Sequence, residues 1–209
     1  TMSLDDAELG NITANSLTIG DATSGGAINV DGVTSLNSDQ FGTLTLSSGA
    51  AVTFGATTAS TFGQGLTVNA AEGINIASGL TTNGTTSFNA DTDDLNTGDF
   101  TLTSGNVSAG NNSLLINSNG MTLGGTLSSG TASTTIQASR ADTTIGLGTG
   151  AGTFSLTTAK LNQITAGSLI VGDNTNGTIT VGGLTTISTP LTLNATKAGS
   201  AVNFDTGLS

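Results

Sequence analysis

Ala7-Glu8-Leu9-Gly10-Asn11-Ile12-Thr13-Ala14-Asn15-Ser16-Leu17-Thr18-Ile19-Gly20-Asp21 returns 152 positions later as Ala159-Lys160-Leu161-Asn162-Gln163-Ile164-Thr165-Ala166-Gly167-Ser168-Leu169-Ile170-Val171-Gly172-Asp173. The match continues through Gly25/Gly177 and, after a slip of one residue, through Ile28/Ile179, Val30/Val181, Gly32/Gly183 and Val33/Leu184. Apolar positions persist while the residues between them drift. Agreement of this kind over roughly 30 residues points to duplication of a structural block, residues 7–33 recurring at 159–184.

Inside each copy the apolar residues stand two apart, Leu17/Ile19 and Ile28/Val30 against Leu169/Val171 and Ile179/Val181. That period puts both side chains of a pair on one face of a short strand. The same signature runs from end to end: Leu44/Leu46, Val52/Phe54, Leu66/Val68, Ile74/Ile76, Phe100/Leu102, Leu114/Ile116, Met121/Leu123, Ile145/Leu147, Phe154/Leu156, Leu191/Leu193 and Val202/Phe204. Between pairs lie Gly25-Gly26, Asn111-Asn112, Gly124-Gly125 and similar residues suited to left-handed or tight turns. No segment sustains apolar residues at helical spacing, and Gly, Thr, Ser and Asn are poor helix formers, so helix is disfavoured throughout and an all-β chain is expected.

Composition decides between β architectures. About forty Thr and 31 Gly dominate the 209 residues; seven Phe are the only aromatics, and there is no His or Cys. An antiparallel sandwich fills a layer about 10 Å thick with larger side chains. A narrow coil, burying a few small aliphatics per turn, suits these residues better. The expectation is one domain over residues 1–209: a single-stranded parallel β-helix, or β-solenoid, with about 20–25 residues per turn and roughly nine turns. The net charge of -11 reflects a shortage of bases, Arg140, Lys160 and Lys197, rather than acidic runs. With 8% charged residues and a mean hydropathy of +0.15, solvated disorder is a poor account.

The run from Ala7 through Val30, with its copy from Ala159 through Val181, resembles the repeats of filamentous-haemagglutinin-like bacterial exoproteins and adhesins, which carry Leu-x-x-Ile-Thr-Ala-x-x-Leu-x-Ile-Gly-Asp-like turns. The clear resemblance covers about a quarter of the chain. It implies a right-handed parallel β-helix, exported across the bacterial envelope to form a long surface fibre. The secretion domain of those exoproteins is not in this sequence, and Thr1–Asp6 has neither the basic nor the apolar region of a signal peptide.

The residues exclude most chemistry. Three bases cannot neutralise a phosphate backbone or an anionic membrane surface, and no apolar run reaches the roughly 20 residues of a membrane span, so neither nucleic acid nor membrane is an expected partner. Nucleophilic catalysis needs a base beside its nucleophile, and His and Cys are missing. Carboxylate pairs serve β-helical polysaccharide-cleaving enzymes, but here the Tyr and Trp on which sugars stack are absent. An enzyme is not expected, nor are catalytic, cofactor-binding or metal residues.

Four local features invite a sharper reading. Asp91, Asp93, Asp94 and Asp99 offer hard oxygens to calcium, but lack the Gly and Glu of an EF-hand loop, and a solvated loop is the expectation. Gly146-Leu147-Gly148-Thr149-Gly150-Ala151 imitates a dinucleotide fingerprint, yet Thr153-Phe154-Ser155-Leu156-Thr157 alternates as a strand where a helix is needed, so a turn is expected. Thr43/Thr45, Thr101/Thr103 and Thr178/Thr180 suggest an ice-binding face, against which stands their irregular spacing. Asn11, Asn83, Asn106, Asn111, Asn176 and Asn194 begin glycosylation sequons, frequent by chance in such a composition.

Solenoid ends are open sheet edges, and no polar capping helix is evident in the sequence. The functional expectation is a secreted structural protein at the cell surface, self-associating end to end through its terminal strand edges into a fibre, sheath or matrix. The stalk of a secreted adhesin, with an unknown protein or glycan receptor, is the alternative; a glycan-binding or ice-binding module ranks below both.

Overall fold

The computed structural model describes residues 5–23, 25–55 and 57–205. The chain is all-β: strands of two to eight residues pair in parallel in four sheets of eight, five, five and four strands. From Phe41 the chain visits three sheets in turn, with Phe41–Ser48 in the first, Val52–Phe54 in the second and Ser60–Phe62 in the third. Gly65–Ala70 then re-enters the first sheet beside Phe41–Ser48, Leu44 facing Leu66 and Leu46 facing Val68.

Repeating that circuit places eight strands in the first sheet. One inward row there is Leu17, Leu44, Leu66, Thr86, Leu114, Thr134, Leu169 and Leu191, at sequence intervals of 27, 22, 20, 28, 20, 35 and 22 residues. Among the described residues the circuits therefore number eight, against the roughly nine expected, and their length varies more than the expected range. The variation lies in the corners; spatial spacing does not change, because neighbouring parallel strands sit about 4.8 Å apart whatever chain joins them.

All fifteen apolar pairs read from the sequence lie in strands. With the exception of the exposed Phe204, their side chains belong to or pack against one continuous interior, in which Phe54 and Phe62 meet edge to face, with centroids 6.4 Å apart, and Phe88 and Phe100 pack at 5.4 Å. Each buried aliphatic or Phe contributes about 1.5–3 kcal/mol by leaving water. Some inward hydroxyls pair inside, Thr82 with Thr86 and Ser129 with Thr134 at 2.9 Å, whereas the buried Ser118 Oγ has no hydrogen-bond partner.

Helix is not wholly excluded as expected. Short helical turns occupy corners at α1 (Asp6–Leu9), α2 (Ser35–Ser38) and α3 (Thr158–Asn162). Local capping explains two of them, since Asp5 accepts from the Glu8 N–H at 2.7 Å and Thr157 from the Lys160 N–H at 3.3 Å. Four- and five-residue segments carry no apolar period that a sequence window detects.

The stack has one irregular level. The second sheet ends at Met121–Leu123, and the fourth begins at Phe154–Leu156, whose parallel neighbour Ile145–Gly148 belongs to the same circuit. Ile145 faces Phe154, so nine residues complete this inner loop, fewer than the dozen or more that a parallel connection normally takes. Lys160 and Gln163, on α3 and just after it, bridge the junction. The Lys160 ammonium donates to the Met121 carbonyl at 2.7 Å and the Ser155 carbonyl at 3.0 Å, and Gln163 Nε2 donates to the Leu123 carbonyl at 3.3 Å. Side chains thus occupy edge carbonyls that a further strand would otherwise take.

Candidate functional site

The acidic loop leaves the first sheet after Thr86–Asn89 and enters the second at Phe100–Leu102. Its neck is closed by Gly98, where a Cβ would lie 1.9 Å from the Ala90 carbonyl oxygen. Asp94 and Asn96 adopt left-handed φ values of 58° and 65° to turn the chain within this span. The four carboxylates go separate ways. Asp93 accepts from the Leu95 N–H at 3.2 Å, Asp99 accepts from Asn119 Nδ2 at 3.1 Å, and Asp91 points inward, 1% exposed, where Ser139 Oγ donates to it at 2.6 Å. Burial raises the Asp91 pKa, the neighbouring Asp93 and Asp94 charges push it further, and the Ser139 hydrogen bond opposes them. Among the described residues no three Asp, Glu, His or Cys side chains converge as metal ligands. A shallow cleft of about 150 Å³ beside the loop is bordered by Glu72, Ile74, Asn75, Thr97, Asp99 and Thr101. Its two charged residues are both acidic, and no aromatic wall offers a sugar ring a stacking surface.

The glycine-rich stretch is the inner loop itself. Gly146, Leu147 and Gly148 lie in the strand Ile145–Gly148, so the turn expected there begins only after Gly148, and the next element is the strand Phe154–Leu156 rather than a helix. Its glycines serve close approach: a Cβ on Gly146 would meet the Gly150 oxygen at 2.2 Å, one on Gly152 the Gly146 nitrogen at 2.1 Å, and one on Gly150 the Thr180 oxygen at 2.1 Å. Of the left-handed or tight turns expected between strands, Asn111 is left-handed at φ 65°, while Gly124 and Gly125 bend the chain without a positive φ and lie flat against Thr103 and Gly105.

Hydroxyl side chains form outward rows that irregular sequence spacing concealed. Thr18, Thr45, Thr67, Ser87, Leu115, Thr135, Ile170 and Thr192 share one row of the first sheet. Thr61, Thr81, Ser108, Ser128 and Thr165 share a row of the third. The argument from sequence interval is thereby corrected: parallel register, not interval, sets the spacing. The three Thr pairs nonetheless fall on different sheets, with Thr45 in the first, Thr101 in the second and Thr180 in the fourth, and Leu115 and Ile170 interrupt the longest row. Among the sequon residues, Asn176 is fully buried and holds the Asp173 N–H and the Gly177 carbonyl, which closes it to modification in the folded chain.

Among the described residues the exposed large apolar side chains are Leu36 on α2, Leu95 in the acidic loop and Phe204, and half-buried apolar strand faces lie at the two ends of the stack. The strand Ala14–Asp21 pairs with Phe41–Ser48 on one side, and among the described residues no strand pairs with its other side. Leu17, Ile19, Ile28 and Val30 are consequently half-buried, while their counterparts Leu169, Val171, Ile179 and Val181 are buried between two circuits. At the far end Leu191–Ala195 and Val202–Phe204 are edge strands, and Phe204 is 64% exposed.

No protein-family model matches the chain, and no curated protein or solved structure matches it either.

Proposed function

We propose that the chain is a right-handed parallel β-solenoid whose work is structural: a building block of an extracellular fibre, sheath or matrix that associates end to end through its terminal strand edges. The observation that carries this reading is the half-burial of Leu17, Ile19, Ile28 and Val30, residues whose counterparts are closed over by a neighbouring circuit. Right-handedness follows from the strong preference of parallel crossover connections. An open parallel edge with apolar residues beside it templates another strand, and main-chain hydrogen bonds with small-residue packing would carry the joint.

Repetition favours a second reading, the stalk of a secreted adhesin, in which the array lengthens within one chain and binding lies elsewhere. The same experiment separates them. Purified chain is followed by analytical ultracentrifugation and negative-stain microscopy over a wide concentration range. Filaments or concentration-dependent oligomers are expected for the building block; a monomer at every concentration overturns it in favour of the stalk.

A further inference from the structure

The duplicated block identifies what the open amino-terminal edge is shaped to receive. Circuit 168–182 is flanked on both sides. Below it, Thr134 and Ile136 face Leu169 and Val171, and Ile145 and Leu147 face Ile179 and Val181. Above it, Leu191 and Leu193 face Leu169 and Val171, and Val202 and Phe204 face Ile179 and Val181. The two flanking circuits thus present the same inward rows to one receiver. Circuit 14–30 is that receiver's copy, and among the described residues it has only the upper neighbour: Leu44 and Leu46 face Leu17 and Ile19, and Val52 and Phe54 face Ile28 and Val30.

We infer that the last circuit of one copy of this chain, residues 191–204, seats beneath circuit 14–30 of the next, with Leu191 on Leu17, Leu193 on Ile19, Val202 on Ile28 and Phe204 on Val30. The inference rests on the end-to-end reading above and adds its register. In it, residues 191–204 play toward the next molecule the part that 133–148 plays toward 168–182 within the chain. Leu191 and Leu193 stand for Thr134 and Ile136, Ala195 continues the row as Ala138 does, and Val202 and Phe204 stand for Ile145 and Leu147. Polarity agrees, because every strand in the first sheet is parallel and a head-to-tail copy preserves that direction. The joint removes Phe204 from water and closes both edges with the pairing used inside the chain.

The register places Thr18 of one molecule opposite Thr192 of the next, about 4.8 Å apart, within the Cα separation of roughly 4.4–6.8 Å that a disulfide spans. Within one molecule these two residues are seven strand spacings apart in the same row, so an internal bond is out of reach. The natural sequence has no Cys. The test is mild oxidation of the Thr18→Cys/Thr192→Cys variant at a concentration where the unmodified chain assembles, read on a non-reducing gel against Thr18→Cys/Asn203→Cys, whose cysteines the register keeps on different sheets. The expected result is a ladder of multimers at least tenfold stronger for the first pair. Phe204→Asp, checked for native circular dichroism, should raise the assembly concentration at least tenfold. Equal ladders, or assembly indifferent to Phe204→Asp, overturn the register while leaving self-assembly standing. A natural chain that never assembles overturns both readings and leaves the amino-terminal edge to other segments of the protein.

Discussion

The two copies of the duplicated block are the same structure in different surroundings. Gly20 and Gly172 turn left-handed at φ 91° and 87°, and Asp21 and Asp173 each accept from the N–H two residues on, Thr23 at 3.0 Å and Thr175 at 2.7 Å. The helical caps also stand 152 residues apart, at Asp5 and Thr157. Burial differs, because a circuit packs beneath one copy and, among the described residues, none packs beneath the other. Position in the stack, rather than sequence, therefore sets what each apolar residue contributes.

The largest test uses one substitution at both places. Leu169→Ala removes a side chain 1% exposed between two circuits and should cost about 3 kcal/mol, within the usual range for a buried Leu. Leu17→Ala, at a half-buried position, should cost about 1 kcal/mol. Stacked circuits need not unfold in one step, so local amide exchange in the flanking strands is the better readout, with urea unfolding beside it. Equal costs would mean that the amino-terminal edge is already covered in solution, the outcome that assembly at the working concentration would itself produce. Measurement at a series of dilutions separates the two cases.

A second pair should show no difference. A Cβ on Gly20 would lie 2.1 Å from the Ser47 carbonyl oxygen, and one on Gly172 2.3 Å from that of Asn194; both contacts are with the circuit above, which both copies possess. Gly20→Ala and Gly172→Ala should each cost about 2 kcal/mol, from backbone strain at a left-handed position and the displaced neighbour. A Gly20→Ala variant as stable as the natural chain would break the claim that the two turns are equivalent.

The limits of the sequence follow the same physics. Strands with two large apolar residues on one face were legible, since a period of two needs only a pair to register, but Ser133–Ala138, with Ile136 and Ala138 inward, was not. Strands whose inward positions mix Ser or Thr with an apolar residue were missed: Ser60–Phe62, Leu80–Thr82 and Thr86–Asn89 read as loop because hydroxyl side chains look like surface. Some of these hydroxyls meet segments distant in sequence, as where Ser60 Oγ accepts from the Val33 N–H at 3.2 Å, which no local window contains. Register was hidden for a related reason: corners of different length disguise rows that are regular in space. The inward turn of Asp91 was hidden too, because its partner Ser139 is 48 residues away.

Equivalent positions can also take different work. Glu8 returns a side-chain bond to the Asp5 N–H at 3.0 Å, completing a capping box within α1. Its counterpart Lys160 reaches down to the Met121 and Ser155 carbonyls, and burial lowers its pKa, opposed by the nearby Asp99 charge. Lys160→Met should cost about 1.5 kcal/mol, the scale of a charged hydrogen bond, and speed amide exchange in 121–123 and 154–156 together. Glu8→Met should cost about 0.5 kcal/mol and stay confined to α1. Unchanged exchange at the junction in Lys160→Met would remove its role as the bridge.

The smallest effect is a divergence in acid. Burial works against ionisation of Asp6, but the Thr34 N–H, Asn37 and the Thr34 hydroxyl outweigh it and hold the pKa below the ordinary carboxyl value. A lowered folded pKa gives stability that is present above the unfolded value of about 4 and lost as pH falls through the folded one. Asp91 has the opposite sign: its raised pKa imposes a penalty at neutral pH that disappears as pH falls through the raised value toward about 4. Urea midpoints should therefore rise slightly on acidification to about pH 4 and fall below it. Asp91→Asn should raise the neutral midpoint and abolish the rise. Asp6→Asn should lower the neutral midpoint and flatten the fall, loosening the α1–α2 contact, while α3, with Thr158 at the matching position, keeps its exchange rates. If α3 loosened along with α1 in that variant, the two copies would be coupled through the stack, and the comparison would have to be made between whole circuits instead of single positions.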